Sequence, residues 1–416
     1  MKIRIIALLA ALGMSGTSVQ AHVSEAEWAQ FKAEFAAMAR RVSALEAENE
    51  ALQAASLNAV PVEDLDARIA AASGANRRSA RSERISWAGD FRYRAERIDE
   101  QGVNERDRNR IRARAALTAR TSDSIEVGLG LASGGDSPIS TNQTLGGNSS
   151  TKDLRLDLAY LQWSGLANTE LTGGKFRNPF YRVQGSGLIW DSDVRPEGIG
   201  LAWDSGPFFA TASYSFLESD SRAGDDAIWG LQLGARVSPR PALRLETAIK
   251  YLDIPAKGRV AFDPGEPDFF GNSSMVVDGR QVYAIDYKLL NASLNLEFAL
   301  REFPVSLFAD FVTNEDAREL DTGYLAGLVL GPLQPAGKWR LRYQYQDLEA
   351  DATFGLLADA TFAGGGTDGR GHKFVARYDI DDRWYVAATY FDNQRGVDLG
   401  DDTDYRHFIF DTGINY

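Results

Sequence analysis

Arginines at every second position are the most unusual chemical feature of this chain. In RDRNRIRARAALTAR, residues 106–120, arginine recurs from 106 to 114, although the chain is acidic, with 45 Lys and Arg against 58 Asp and Glu. A basic cluster is typical of nucleic-acid binding. A period of two indicates a β-strand with one charged face instead, because alternate side chains of a strand point to the same side. The net charge of -13 also argues against a nucleic-acid partner.

A row of guanidinium groups on one face of a strand creates a positive field that attracts anions and orients dipolar solutes. FRYRAER at 91–97 and KWRLRYQYQ at 338–346 repeat the alternation. The alternative is a solvated face that only keeps an interior open. We predict a basic wall, extended by the last two of these arginines: Arg92, Arg94, Arg108, Arg110, Arg112, Arg114, Arg340 and Arg342.

Carboxylates that could face this wall occur in RNPFYRVQGSGLIWDSDVRPE, residues 177–197. Asp191, Asp193 and Glu197 are the candidates for an acidic surface opposite the basic wall. Opposed signs across a gap between the two surfaces would create a transverse field that orients dipolar solutes. The alternative for Asp191 and Asp193 is a local role, in which they cap a turn or pair with a neighbour.

Strands with a period of two fill the chain from Ile85 to its end. Their connections alternate between short turns and long loops rich in Gly and Asp, so every long loop falls at the same end. We count sixteen strands, starting near 85, 106, 123, 151, 168, 197, 207, 225, 241, 281, 303, 321, 336, 369, 381 and 403.

Sixteen alternating strands predict an all-β transmembrane barrel over residues 85–416, with antiparallel strands. In hydrocarbon every backbone polar group must be paired, so a sheet has to close on itself. Short turns at one end and long loops at the other are typical of outer-membrane barrels. An even strand count places both ends of the barrel chain in the periplasm, and the interior of a barrel this wide encloses water.

The N-terminus has the features of a signal peptide over residues 1–21, with Lys2 and Arg4 before a short apolar run. Residues 22–60 predict a periplasmic α-helical coiled coil, because the core residues follow in steps of three and four. Residues 61–84 predict a helical piece and a linker. The coiled-coil core positions are Trp28, Phe31, Phe35, Met38, Val42, Leu45, Asn49 and Leu52.

Enzymatic and metal chemistry have little support in the composition. The chain has no cysteine and three histidines, and it contains no G-x-S-x-G, H-E-x-x-H or phosphate-loop motif. We expect no cofactor and no metal. A barrel-type hydrolase that uses His372 or His407 is the enzymatic alternative. Acidic residues near 398–404 are interpreted as solvated loop charge, with divalent-cation bridging to lipopolysaccharide as the alternative.

Three segments resemble the family named Putative porin, from Gram-negative outer membranes. They are GDFRYRAER at 89–97, GGKFRNPFYR at 173–182 and LIWDSDVRPEGIGL at 188–201. The resemblance implies a passive diffusion channel, a homotrimer, contact with outer-membrane lipid and lipopolysaccharide, and a third long loop, 177–197, that folds inward to form the constriction. The alternative function is structural: a coiled coil that contacts the cell wall and tethers or spaces the envelope.

Overall fold

The structure, a computed structural model, describes residues 84–219, 226–240, 242–261, 268–301, 303–331, 339–400 and 402–416. The expected signal peptide (1–21), the coiled coil (22–60) and nearly all of the linker (61–84) lie outside the described residues, and they remain predictions. Within the ranges given, no helix has the length and hydropathy required to cross a membrane.

Nineteen strands are present in the described part of the chain. Three single-turn 3-10 segments accompany them, at Val183–Gly185, Gly355–Leu357 and Phe362–Gly364. In chain order the strands are β1 (Ile85–Glu100), β2 (Arg106–Ser122), β3 (Ile125–Ser133), β4 (Gln143–Thr144), β5 (Leu154–Trp163), β6 (Thr169–Lys175), β7 (Glu197–Ser205), β8 (Phe208–Glu218), β9 (Asp226–Arg240), β10 (Leu243–Ile254), β11 (Ser274–Val277), β12 (Arg280–Tyr283), β13 (Tyr287–Leu300), β14 (Phe303–Asn314), β15 (Thr322–Leu330), β16 (Trp339–Leu348), β17 (Gly369–Asp379), β18 (Trp384–Arg395) and β19 (Thr403–Asn415).

Sixteen of these strands form one closed antiparallel barrel. Each pairs with its sequence neighbours, and β1 pairs with both β2 and β19, which closes the ring. The two-residue β4 adds to β2, while β11 and β12 form a separate hairpin. The predicted sixteen-stranded barrel is therefore confirmed. Fifteen predicted strand starts lie within three residues of the observed ones, and the start predicted near 281 lies six residues before that of β13.

The β1–β19 seam is held by the backbone of residues that are far apart in sequence. Gly89 N–H donates to the Tyr416 carbonyl at 2.8 Å, and Tyr416 N–H donates to the Gly89 carbonyl at 3.0 Å. A Cβ at position 89 would lie 2.6 Å from the Tyr416 ring and 2.4 Å from the Arg114 carbonyl oxygen. Glycine is required at this position because the two strands approach so closely.

Loop lengths follow the predicted alternation. The four longest connections, 134–153, 176–196, 255–286 and 349–368, all lie at one end of the barrel, which we call the long-loop end. Tight connections such as 123–124 and 206–207 lie at the opposite, short-turn end. The N-terminal end of β1 and the C-terminal end of β19 meet at the short-turn end.

The outward face of the barrel is apolar, as a surface that meets hydrocarbon has to be. Along β13, for example, Leu290, Leu294 and Leu300 are exposed by 41%, 46% and 64%, while Asn291, Ser293 and Asn295 between them face inward and are buried. The same alternation of exposed apolar residues runs along β7, where Ile199, Leu201 and Trp203 point outward.

A charge at the middle of this apolar surface should destabilise the barrel. We expect Leu294→Arg to lower the free energy of unfolding in lipid vesicles by about 2–4 kcal/mol, and Leu300→Arg, at the strand end, by about 0–1 kcal/mol. Denaturant titration of the two variants measures both values. Equal effects at the two positions would contradict the assignment of Leu294 to the hydrocarbon zone.

The interior is not uniformly polar. Along the sector from β9 to β16, inward-facing residues pack against residues of all four long loops in one apolar core. Leu252, Leu289 and Val312 of the barrel wall, with Val183 and Leu188 of loop 176–196, have no exposed surface. This differs from the expectation of a water-filled lumen around the whole circumference. Open space is left beside the remaining strands, and the candidate site lies there.

Candidate functional site

Two neighbouring strands bring a cluster of arginines onto one inward face. The β1–β2 register places Arg92 opposite Arg112, and Arg94 opposite Arg110. Cross-strand pairs of like charge are destabilising, so the arrangement needs compensation. We call this surface the arginine wall, and its members are Arg92, Arg94, Arg108, Arg110, Arg112 and Arg114.

Three carboxylates compensate part of this charge. Asp411 of β19 accepts two hydrogen bonds from the Arg94 guanidinium, at 2.7 and 2.8 Å. Asp90 accepts from Nε of both Arg112 and Arg114, at 2.8 and 2.7 Å. The third carboxylate, Glu96, accepts a hydrogen bond from Arg108. Asp193 of loop 176–196 also pairs with Arg114, so six arginines face four carboxylates and the wall keeps an excess of two positive charges.

The excess is concentrated at Arg92 and Arg110. The closest carboxylate to Arg110 is Glu96, at 3.9 Å, and the closest to Arg92 is Asp411, at 3.7 Å. Arg92 also donates through Nη2 to Asn142 Oδ1, at 2.5 Å. In the described part of the chain, no atom accepts a hydrogen bond from Nε of either arginine. These two guanidiniums are therefore the best placed to meet a solute.

Loop 176–196 folds into the barrel, and its tip forms hydrogen bonds with strands on the opposite side of the barrel. Gln184 lies at this tip with a positive φ of 46°. Its side-chain oxygen accepts from Arg340 Nη2 at 3.1 Å, and its carbonyl accepts from Arg342 Nη1 at 2.7 Å. The side-chain Nε2 of Gln184 donates to Asn295 Oδ1 at 3.2 Å. Arg340 and Arg342 are thus inward-facing, but the structure places them at the loop tip and not in the arginine wall.

A second loop, 349–368, also enters the barrel and binds the first. Asp191 N–H donates to the Leu357 carbonyl at 2.6 Å, and Asp359 N–H donates to the Gly187 carbonyl at 2.9 Å. Ala360 N–H donates to the Asp191 carboxylate at 3.1 Å. The inward path of this loop was missed by the sequence analysis. The sequence feature that could have indicated this path is the apolar content of TFGLLADATF, residues 353–362, within a loop expected to be polar.

The three predicted acidic residues occupy three different environments. Asp191 joins the two inward loops and lines the open space. Asp193 is 8% exposed; it accepts from Thr141 N–H and Oγ1, at 3.0 and 2.9 Å, and from Arg114 Nη1, at 3.2 Å. Glu197, the first residue of β7, lies on the outward face and pairs with Lys175 at 2.6 Å. The structure therefore brings Asp191 and Asp193 toward the arginine wall, and it does not bring Glu197 there.

A cavity of about 760 Å³, which we call the channel cavity, runs along the arginine wall. The two inward loops, parts of loops 134–153 and 255–286, and strands β17, β18 and β19 complete its lining. Residues that the sequence analysis did not select also line it, among them Arg182, Asp359, Lys373, Tyr405 and His407. Nine of the lining side chains are Arg or Lys and seven are Asp or Glu, so the space is rich in charge of both signs with a positive excess.

Burial and neighbouring charges separate the behaviour of the loop carboxylates. Burial, together with the negative charges of Asp359 and Asp193, raises the pKa of Asp191 to about 7. Burial alone would raise the pKa of Asp193, but Arg112 and Arg114 outweigh it and lower the pKa. Asp191 is thus the loop carboxylate that changes its charge near neutral pH.

Selectivity of the channel cavity should therefore depend on pH. Below pH 7 Asp191 becomes neutral, and the cavity gains one net positive charge. We expect the chloride-to-potassium permeability ratio to be about twofold higher at pH 6 than at pH 8. Reversal potentials in a salt gradient measure this ratio.

The control for this prediction is Asp191→Asn, which removes the titrating carboxyl and keeps a similar shape. His407 also lines the channel cavity. The comparison with Asp191→Asn therefore isolates the contribution of Asp191. If the variant shows the same pH response as the unmodified protein, the response arises elsewhere and the prediction is wrong.

Several solved structures are similar to this chain. Among solved structures, the high-pH structure of OprB from Pseudomonas putida has a TM-score of 0.58 at 12% sequence identity, covering 82% of this chain and 97% of that one. OmpF from Salmonella typhi, in complex with daunomycin, has a TM-score of 0.48 at 7% identity, with 80% and 97% covered. The trimer form of OmpT from Vibrio cholerae has a TM-score of 0.47 at 13% identity, with 80% and 99% covered.

The family comparison is more specific than the structural one. No curated protein sequence matches the chain. The profile of the family described as Putative porin matches residues 89–259 and 272–397, which is more than half of the 416 residues. The match covers the arginine wall and both inward loops. This chain belongs to the Putative porin family and is an outer-membrane porin.

Proposed function

We propose that the protein is a passive channel for small hydrophilic solutes, and that it conducts anions in preference to cations. The observation that supports this most directly is the channel cavity, about 760 Å³ in volume, which is bounded by the arginine wall on one side and by two inward loops on the other. The apolar core that fills the β9–β16 sector leaves this space as the route beside the wall.

Anion preference follows from the distribution of charge. A fixed positive excess in a narrow space with low-dielectric walls raises the local concentration of anions. Asp191 and Asp359 lie on the loop side of the cavity, while the weakly compensated guanidiniums of Arg92 and Arg110 lie on the strand side. This transverse field would orient a solute with separated charges. An apolar solute would be disfavoured, because it displaces water from the charged side chains and makes no polar contacts in place of that water.

Conductance across planar bilayers tests the proposal. The purified protein should give stepwise ion currents. In a potassium chloride gradient, the reversal potential should be shifted from zero toward the equilibrium potential of chloride. Absence of current from correctly folded protein would reject the channel and favour the structural alternative, in which the barrel is an anchor. A reversal potential shifted toward the equilibrium potential of potassium would reject the anion preference but not the channel.

The orientation in the membrane and the oligomeric state are part of the same proposal. Both ends of the barrel chain would lie in the periplasm, with the long loops outside the cell, and the coiled coil of 22–60 would then be periplasmic. The heptad pattern supports association of several copies, and the family resemblance implies that their number is three.

Deletion of residues 23–57 tests the role of the coiled coil. We expect the deleted protein to keep a folded barrel and to lose stable trimers on native gels, because the heptads contribute the periplasmic part of the association. Trimers that persist would reject this role and favour a spacer or a cell-wall contact.

A further inference from the structure

Two residues of loop 134–153 hold the two weakly compensated guanidiniums of the arginine wall. Arg92 Nη2 donates to Asn142 Oδ1 at 2.5 Å, and Arg110 Nη2 donates to Ser140 Oγ at 3.3 Å. Asn142 Nδ2 also donates to Ser140 Oγ, at 3.3 Å, which joins the two contacts. All four residues line the channel cavity. One polar bridge from a single loop therefore restricts the orientation of both guanidiniums.

Each of these guanidiniums keeps one donor group that meets no acceptor. Nε is buried in both residues, whereas Nη1 has accessible surface and donates no hydrogen bond within the described residues. The carboxylate oxygen closest to Arg110 Nη1 is Glu96 Oε1 at 3.9 Å, which is beyond hydrogen-bond distance. The Arg92 and Arg110 side chains are 11% and 16% exposed. Since both line the channel cavity, their Nη1 groups are available to a solute there.

The spacing of the two arginines suits an anion with several oxygens. Arg92 lies opposite Arg112, and Arg110 lies opposite Arg94, so Arg92 and Arg110 are diagonal neighbours on the inward face of β1 and β2. Diagonal neighbours of an antiparallel pair are about 7–8 Å apart, which long side chains can span. One polyatomic anion can thus place an oxygen on each guanidinium. Chloride has a single atom to share between them and gains less from this arrangement.

A hydroxyl group supplies a third donor beside the two guanidiniums. Ser140 Oγ accepts hydrogen bonds from Arg110 and from Asn142, so its two lone pairs are in use. Its own hydrogen has no acceptor within the part of the chain that the structure describes. An oxyanion at the two Nη1 groups can accept this hydrogen. A hydroxyl donor distinguishes a specific oxyanion site from a merely positive surface.

The charge at this position matches a dianion. The wall has an excess of two positive charges, and this excess is concentrated at Arg92 and Arg110. The carboxylates nearest to them, Asp411 and Glu96, accept hydrogen bonds from other arginines of the wall. Arginine binds phosphate-like oxyanions through short, charge-assisted hydrogen bonds. A dianion would neutralise both guanidiniums, whereas a monoanion would leave one positive charge uncompensated.

We propose that the channel cavity contains a binding site for a tetrahedral dianion of the sulfate or phosphate class. Its oxygens accept hydrogen bonds from Nη1 of Arg92, Nη1 of Arg110 and Oγ of Ser140. Asn142 is a positioning residue, because it holds Arg92 and Ser140 without donating to the anion. The site lies on the proposed conduction route, so its role in transport rests on the proposed function, while binding itself does not.

Sulfate is the probe for this site, because it is a tetrahedral dianion at any pH near neutrality. Its binding to the purified full-length protein in detergent is measured by isothermal titration calorimetry, with protein-free micelles as the blank. We expect saturable binding that Ser140→Ala weakens about fivefold, because one hydrogen bond is lost. Arg110→Gln should weaken it at least about tenfold, because the lost hydrogen bond is charge-assisted. Acetate, a planar monoanion, should bind more weakly than sulfate or inorganic phosphate.

Two matched controls line the same cavity. Ser137→Ala removes a hydroxyl from the same loop, and within the described residues the Ser137 side chain makes no hydrogen bond, so the affinity for sulfate should be unchanged. Arg106→Gln removes the same charge as Arg110→Gln, at the long-loop end of β2. It should weaken sulfate binding by no more than about twofold, because charges at a distance are screened by salt.

The site is rejected if sulfate gives no saturable heat, if acetate binds as tightly as sulfate, or if Ser137→Ala and Ser140→Ala weaken binding equally. Planar-bilayer currents separate this outcome from the proposed function. Chloride currents without saturable sulfate binding would reject the site and leave the channel. Saturable sulfate binding to a folded protein that conducts no ions would reject the channel and leave the site.

Discussion

Replacement of Arg92 and Arg110 by glutamate together is expected to change the channel from anion to cation preference. These two guanidiniums have the weakest compensation in the arginine wall, with their closest carboxylates at 3.7 and 3.9 Å. The exchange changes the net charge of the wall from positive to negative. We expect the chloride-to-potassium permeability ratio to fall at least about tenfold, since arrays of fixed charge alter local ion concentrations by this order.

The choice of residues follows from their contacts. Arg112 and Arg114 both donate hydrogen bonds to Asp90, and Arg114 also donates to Asp193 of the inward loop. Glutamate at those positions would repel these carboxylates and displace the loop, so a change in selectivity would have two causes. Arg92 and Arg110 can be changed with less effect on the loop. Glutamine at the same two positions should give an intermediate reversal potential, because it removes charge without inverting it.

The matched control for this variant is Arg318→Glu with Arg383→Glu. Both arginines are exposed and lie in connections between strands, outside the channel cavity. The net charge of the protein changes by the same amount as in the test variant. If the control shifts the reversal potential as far as the test variant, the net charge of the protein sets selectivity, and the arginine wall does not.

A single buried charge in the apolar core should have the second large effect. Leu188 of loop 176–196 has no exposed surface and packs in the core that fills the β9–β16 sector. An ionised carboxylate at this position would lose its hydration without gaining a partner, at a cost of several kcal/mol. We expect Leu188→Asp to release the loop from the barrel wall and to raise single-channel conductance at least about twofold, because the route beside the wall widens.

The same substitution at an exposed position provides the comparison. Leu166, in the turn 164–168 at the short-turn end, is 58% exposed, so Leu166→Asp should leave conductance unchanged. Current traces in planar bilayers measure both variants, and circular dichroism verifies that each barrel is folded. A folded Leu188→Asp protein with unaltered conductance would show that loop 176–196 does not limit the flow of ions.

The barrel could be predicted because lipid enforces a period of two on every strand. That period also shows where prediction fails. In β10, Leu245, Ile249 and Tyr251 point outward while Leu252 and Ile254 point inward and are fully buried. Both faces of the strand are then apolar at its long-loop end. Periodicity alone gives no indication that one face meets lipid and the other meets loops, so the apolar part of the interior was not predicted.

The candidate site was predictable in part, for a related reason. Alternation put Arg92 and Arg112 on inward faces, and the β1–β2 hairpin made them neighbours. Arg340 alternates in the same way, but its contact with Gln184 depends on how far loop 176–196 reaches across the barrel. The pairing of Asp191 with loop 349–368 depends on the path of a second loop. Contacts between loops leave no periodic pattern in the sequence.

The β1–β19 seam has a consequence for the order in which the protein becomes functional. The ion pair between Arg94 and Asp411 crosses this seam, and so does the backbone pairing of Gly89 with Tyr416. Residues separated by more than 300 positions must meet before either contact forms, and such non-local contacts are slow to form. Biogenesis and permeability are therefore coupled. A barrel inserted with β1 and β19 unpaired would lack the contact of the arginine wall with Asp411, so ion selectivity is acquired when the ring closes.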